Sequence, residues 1–160
     1  MDRINKILKH DLFLYHLRQN EEAERERIFC RHNMEHFLDV ARIGHLMNLE
    51  EGLGIGKETI YAAALLHDLG KHLQYEKGTP HERSGAAIAG QILPDCGFDE
   101  EEINTITDAI LSHRDHEAAE MQGLTGILYR ADKASRACFC CKAETECKWS
   151  NDKKNHIILL

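Results

Sequence analysis

Apolar residues recur along the first part of the chain at steps of three and four. Ile4, Ile7, Leu8, Leu12 and Tyr15 do so within residues 3–19, which predicts an amphipathic helix. The charged run NEEAERER that follows reads as a continuing or exposed turn of helix. Phe37, Val40, Ala41, Gly44 and Met47 form a second stripe over residues 31–49, and Gly52, Gly54 and Gly56 then break the pattern. A third helix is expected over residues 57–69, apolar from Ala62 to Leu66 and ended near Gly70 as its C′ residue. LQYEKGTP reads as a loop. Pro80 stands just before a helix over 81–93 whose close-packing face is Ala86, Ala89, Gly90 and Leu93. Asp99, three residues ahead of Glu102, opens a helix over 99–113 in a capping-box arrangement. A last helix covers about 121–138. With two prolines and little β-branched alternation, the expectation is one all-α domain, a compact bundle of about six to seven helices. It spans residues 1–137, and residues 138–160 form a cysteine-rich tail packed on it or extending from it.

Length and composition narrow the function without naming it. A chain of 160 residues is large enough for one domain with a real core. No apolar run approaches the roughly 20 residues of a spanning helix, and MDRINKILKHD lacks a signal-peptide core. A soluble, cytoplasmic protein without a membrane partner is expected; the oligomeric state is left open. A net charge of −7 argues against nucleic acid as a general partner, since that needs a basic face, while local basic groups can still bind a small phosphate. Eleven histidines and six cysteines are many for this length. In a reducing compartment the cysteines read as thiols or metal ligands before disulfides.

Six polar residues stand beside apolar packing in separate segments. His36 borders the Val40–Ala41 stripe, and His67 and Asp68 end the next helix. His81 opens a helix, His113 closes another, and Asp132 sits among Leu128, Ala131 and Ala134. Burying unpaired polar groups is costly, and a shared divalent ion relieves several at once; imidazole with carboxylate suits iron, manganese, zinc and similar ions. The run HNMEH at His32–His36 has two histidines one turn apart, as in a metalloprotease, but Asn33 stands where that motif needs glutamate. A protease is therefore not expected.

The order of these residues resembles the HD-domain superfamily of metal-dependent phosphohydrolases. The resemblance rests on H-x-x-x-V-A at His36–Ala41, LLHDLGK at Leu65–Lys71, a downstream histidine pair, and ADK at Ala131–Lys133, and covers about residues 30–136. It implies an all-α fold with a metal held by His36, His67, Asp68 and Asp132. His81 and His113 look like the extra histidines of members with two metals, and Lys71 matches the lysine of an HDxxK motif. The adjacent histidine pair and GYP signature of the HD-GYP variant are missing, as is the acidic pair after HD typical of alarmone hydrolases. The implied reaction is cleavage of a phosphoester or phosphoanhydride in a nucleotide or other small phosphorylated metabolite by a metal-activated water. Asp68 and Lys71 are the expected catalytic residues, with one or two ions of Fe, Mn, Zn, Co, Ni or Mg. Arg83, Arg114 and Lys133 join Lys71 as candidates to hold substrate phosphate, and His32 and His116 as candidates to line the pocket. A non-catalytic metal- or nucleotide-binding regulator and a di-iron oxygenase on the same scaffold are the alternatives.

The tail raises a separate question. Cys138, Cys141 and Cys147 are spaced C-x2-C-x5-C, and Cys30 is a candidate fourth ligand, because the helices carrying His36 and Asp132 begin and end near these cysteines. A structural zinc or an iron–sulfur cluster pinning the tail is one reading. A set of reduced, partly buried thiols is the other.

Overall fold

The computed structural model describes residues 1–158, and it is all-helical over them, with no strand. Leu159 and Leu160, the end of the expected tail, lie outside the described residues. In chain order the helices are α1 (Asp2–Ile7), α2 (Asp11–Ala23), α3 (Met34–Glu50), α4 (Lys57–Leu66), α5 (Lys71–Lys77), α6 (His81–Cys96), α7 (Glu100–Ser112) and α8 (Leu124–Ala134). A 3-10 turn at His116–Glu120 precedes α8, and the tail winds through three more. No helix is long and apolar enough to cross a membrane among the described residues.

The apolar stripes meet in one core. α4 is buried nearly all round: Ile60, Ala62, Ala63, Ala64, Leu65 and Leu66 are inaccessible or almost so. α3 and α8 pack together beside it, and α6 and α7 pair on the other side. Gly44 lets α3 approach closely, since a Cβ there would stand 3.1 Å from Ile127 and 3.3 Å from Ile60. α7 begins with the expected capping box: Asp99 accepts from the Glu102 amide, and Glu102 accepts from the Asp99 amide.

Four local expectations are corrected. The stretch 3–19 is two helices, because the chain turns at Leu8–Lys9 and the His10 side chain accepts from the Leu12 amide to cap α2. LQYEKGTP is mostly helix: α5 runs to Lys77 and stops at Gly78, whose φ of 69° is left-handed. Gly70 is no left-handed C′ residue, as its φ is −88°; a Cβ there would instead strike Ser84 and lie 2.9 Å from the Gly85 nitrogen. α6 runs past Pro94 to Cys96, since the carbonyl that Pro94 leaves unpaired one turn back, at Gly90, is on the exposed side. Gly90 accordingly packs against nothing.

Candidate metal centre

α4 carries His67 and Asp68 into the middle of the molecule. Leu65, Leu66 and Leu69 are fully buried, so the end of the helix is seated before its polar residues are reached. His67 is the C-cap, and Asp68 begins the turn into α5. Asn20 on α2 clamps that turn: its Nδ2 donates to the Asp68 carbonyl at 2.9 Å and its Oδ1 accepts from the His72 amide at 2.8 Å. On the opposite side α6 presses in through Gly85, where a Cβ would lie 2.6 Å from the His67 carbonyl oxygen.

The structure brings six of the expected residues to this turn. Donor atoms of His36 (α3), His67, Asp68 and Asp132 (α8) all lie within 4.8 Å of one another, and so do those of Asp68, His81 (α6) and His113 at the end of α7. All six residues are buried. Asp68 belongs to both sets through different oxygens. Its Oδ2 is 3.2 Å from His67 Nε2 and 3.8 Å from His36 Nε2; its Oδ1 is 3.0 Å from His81 Nε2 and 3.6 Å from His113 Nε2. Asp132 Oδ1 closes the first set, 3.3 Å from His36 Nε2 and 3.8 Å from His67 Nε2.

What these atoms require follows from the far side of each ring. His67 Nδ1 is 2.7 Å from the Ala64 carbonyl and His113 Nδ1 is 2.6 Å from the Ile110 carbonyl, so in both rings Nδ1 must carry the proton. His81 Nδ1 faces Gln74 Oε1 at 2.5 Å. His36 Nδ1 faces Ser135 Oγ at 3.1 Å, and that hydroxyl spends its own proton on the Asp132 carbonyl. Each neutral imidazole therefore points an Nε2 lone pair at a carboxylate. His67 Nε2 and Asp68 Oδ1 are buried without a hydrogen-bond partner. Lone pairs facing a carboxylate need a proton or a cation between them, and imidazoles fixed through Nδ1 are the usual arrangement behind metal ligands. The donor set thus fits one or two divalent ions.

The charge balance agrees. Burial would raise both aspartates, yet facing imidazoles, His67 foremost for Asp68 and His36 foremost for Asp132, hold both well below the usual carboxylate range. Burial likewise opposes a charge on His67, but Asp68 and Asp132 push its pKa up to about 9. Without a metal, a proton on His67 and the Arg136 guanidinium, 3.1 Å from both His36 Nε2 and Asp132 Oδ1, supply the positive charge.

The remaining candidates are placed less uniformly. Lys71 is half-buried with Nζ 3.2 Å from His81 Nδ1, and burial lowers its pKa. Arg114 is exposed and paired with Glu82 at 3.2 Å. Lys133 pairs with Asp132 Oδ2 at 2.6 Å. Arg83 is exposed, and His116 is exposed beside Tyr129. His32 does reach the centre, with Nε2 3.6 Å from Asp68 Oδ2. Behind it stands a buried carboxylate missed in the sequence: Glu24 accepts from His32 Nδ1 at 2.5 Å, from the His32 amide at 2.6 Å and from the Tyr75 hydroxyl at 2.6 Å. Glu24, the C-cap of α2, lies in the charged run that reads as a continuing or exposed turn of helix. Its signal was spacing, because it continues the buried series Phe13, Leu17, Asn20 of α2. Arg136, four residues past Asp132, pairs with it as the spacing allows, but the pair is buried beside His36 rather than on the surface. A cavity of about 820 Å³ opens beside His36 and Ser135, with Arg25, Arg27, Arg31 and Lys142 among its walls.

Known proteins resemble the chain in the same region. The model of the HD domain matches residues 33–137. An uncharacterized protein of Clostridium beijerinckii is 51% identical over 155 residues, 97% of either chain. Ribonuclease Y of Acetivibrio thermocellus is 33% identical over 98 residues, which is 61% of this chain and 16% of that one. The crystal structure of a predicted HD superfamily hydrolase from an uncultured Thermotogales bacterium superposes with a TM-score of 0.59 at 28% identity, covering 87% of this chain and 81% of that one. The matched span runs from just before His36 to just beyond Asp132 and so encloses both donor sets; the chain belongs to the HD-domain family.

Proposed function

We propose that the chain is a metal-dependent phosphohydrolase that cleaves a phosphoester or phosphoanhydride of a nucleotide or another small phosphorylated metabolite. In this reading His36, His67, Asp68 and Asp132 hold one ion, and His81 and His113 share Asp68 with a second. The observation that carries the reading is the placement of Asp68, whose two oxygens face two separate sets of imidazoles. Bound divalent ions lower the pKa of a water and polarise a phosphoryl oxygen, and a pair stabilises both attacking and leaving oxygens. The protein's own contribution is orientation and charge. Asn20 clamps the backbone of Asp68, so that its carboxylate is presented to both donor sets, and that carboxylate is suited to accept a proton from water. His32, backed by Glu24, holds or passes a proton beside Asp68 Oδ2. Lys71 brings a cation to the edge of the second set, suited to a substrate phosphate. Two relatives support a substrate of this class by their names alone: the ribonuclease, and a bifunctional uridylyltransferase/uridylyl-removing enzyme of Gluconobacter oxydans that is 39% identical over 57 residues, 36% of this chain and 6% of that one.

The test is phosphate or nucleotide release from a panel of mono-, di-, tri- and cyclic nucleotides and dinucleotides, with Mn, Fe, Co, Ni, Zn and Mg supplied singly. Turnover is expected with at least one metal and is lost in Asp68→Ala. Silence across the panel with metal bound turns the reading to a regulatory domain. Oxygen uptake by an iron-loaded sample turns it to a di-iron oxygenase.

A further inference from the structure

Four of the six cysteines meet around one void that borders the donor sets at Asp68 through His32 and Arg136, which also line it. Cys30, Cys138, Cys141 and Cys147 all line a cavity of about 340 Å³ between the segment before α3 and the tail after α8. Cys140 is exposed, its Sγ turned to the Ala137 carbonyl at 3.5 Å, and Cys96 is buried in α6, so the selection is specific. It is the set that the C-x2-C-x5-C spacing and Cys30 single out. The polypeptide is drawn up to hold it. Asn155 Nδ2 donates to the carbonyls of Lys133 at 2.6 Å and Arg136 at 2.8 Å, folding the tail back on the end of α8. Arg27 Nε donates to the Cys30 carbonyl at 2.8 Å.

Size and charge say what the cavity takes. A tetrahedral zinc site with Zn–S bonds of about 2.3 Å sets its sulfurs about 3.8 Å apart. Among the described residues, no three of these thiols lie within 4.8 Å of one another, so they stand wider than one ion draws them. Four thiolates also bring much negative charge. Arg27, Arg136, Lys148 and Lys154 share the lining, while its one carboxylate, Glu144, is paired with Lys154 at 2.7 Å. We propose that Cys30, Cys138, Cys141 and Cys147 hold an iron–sulfur cluster through four thiolates, stapling the tail to the segment that carries His32 and His36. Loading from a carrier protein that delivers the cluster intact balances without redox chemistry. Four iron–thiolate bonds to the carrier break and four form here, and the four protons leaving these cysteines end on the carrier's thiolates. The cluster ties together the two stretches that bear His36 and Asp132, with Arg136 between the centres.

The experiment is anaerobic purification of the full chain, with iron, zinc and acid-labile sulfide measured per protein, repeated after reconstitution with ferrous iron and sulfide. Sulfide is the deciding quantity, because the histidine–aspartate centre also suits iron. About two or four sulfides per chain are expected, as the cluster holds two or four irons, with broad visible absorption. Cys141→Ser and Cys147→Ser should lose at least nine-tenths of the sulfide, whereas His67→Ala and Cys140→Ser keep it. If the two cysteine variants fail to fold, the reconstituted wild type decides alone. No sulfide after reconstitution, zinc in its place, or sulfide retained in folded Cys141→Ser overturns the proposal.

Discussion

Asp68 is the one side chain that both donor sets need, so its removal should differ in kind from removal of a neighbour. Asp68→Asn keeps the shape but loses the charge and one oxygen; metal content should fall to a small fraction of wild type, and turnover at least a thousandfold. His81→Ala should empty only the second position and leave about one ion per chain. Elemental analysis beside activity separates the two, and equal metal loss in both variants would contradict the shared-carboxylate reading. The proton on His67 gives a second test. In the metal-free protein Asp68 and Asp132 hold that imidazole protonated up to about pH 9, and a metal ligand must be deprotonated. Metal uptake at pH 7.5 should therefore release about one proton from His67, and affinity should rise about tenfold per pH unit up to that value. Calorimetry in two buffers of different ionisation enthalpy reads the released proton directly. Residue by residue, the six buried donors were legible because each interrupts apolar packing. Glu24 was not, because a charge in a charged run looks solvated until its partner is known, and Arg136 reads as a surface partner of Asp132 until both are seen to be buried. The partner of Glu24, His32, is eight residues on, across a chain reversal that no local pattern encodes.

The elements show where local pattern suffices and where contact decides. The capping box of α7 and the stripes of α3 and α4 follow from spacing alone. α5 does not, although Leu73, Gln74, Glu76 and Lys77 favour helix and Gly78 is a ready C′ residue; seven residues between a turn and a proline look like a loop until α2 and α6 are packed on them. Two glycines of α6 make the same point in opposite directions. Gly85→Ala would put a methyl 2.6 Å from the His67 carbonyl oxygen, against backbone that cannot swing aside. It should cost about 1–3 kcal/mol and weaken metal binding with it. Gly90→Ala meets nothing and should stabilise α6 by about 0.5–1 kcal/mol; urea titration of both variants checks the contrast. The contact between α2 and α5 has its own pH signature. His16 Nδ1 lies 2.9 Å from His72 Nε2, and burial first, then His72, lowers the pKa of His16 to about 4. The unfolded chain takes up this proton near pH 6.5 and the folded one only near 4, so the unfolded state gains protons between them. Stability should fall as pH drops from about 6.5 towards 4, and His16→Gln should flatten that part of the curve in denaturant titrations.

At the scale of the molecule, charge is distributed against the net value. The chain carries −7, which taken whole would repel a phosphorylated substrate, yet the 820 Å³ cavity beside His36 has Arg25, Arg27, Arg31, Arg136 and Lys142 in its walls. Glu26, Glu35, Asp39 and Glu146 share that lining, so the basin is mixed, and its cations are the ones a phosphate would meet on the way to the first donor set. Arg83, Arg114 and Lys133, the cations nearest the motifs in sequence, do not line it. Proximity along the chain picked residues on the motif helices, whereas the basin is built by the α2–α3 connection and the tail, brought together only by the fold. Arg31 and Lys142 are exposed, so reversing either removes no buried contact. If substrate enters here, Arg31→Glu and Lys142→Glu should each raise KM about three- to tenfold, leave kcat near wild type, and flatten the rise of KM with salt, since the lost attraction is the one that salt screens. Arg83→Glu, on the exposed face of α6 outside this basin, serves as the control and should leave KM unchanged. A rise in KM for Arg83→Glu, with none for Arg31→Glu or Lys142→Glu, would move the entrance to the side of His81 and His113, where Lys71 and Arg114 stand.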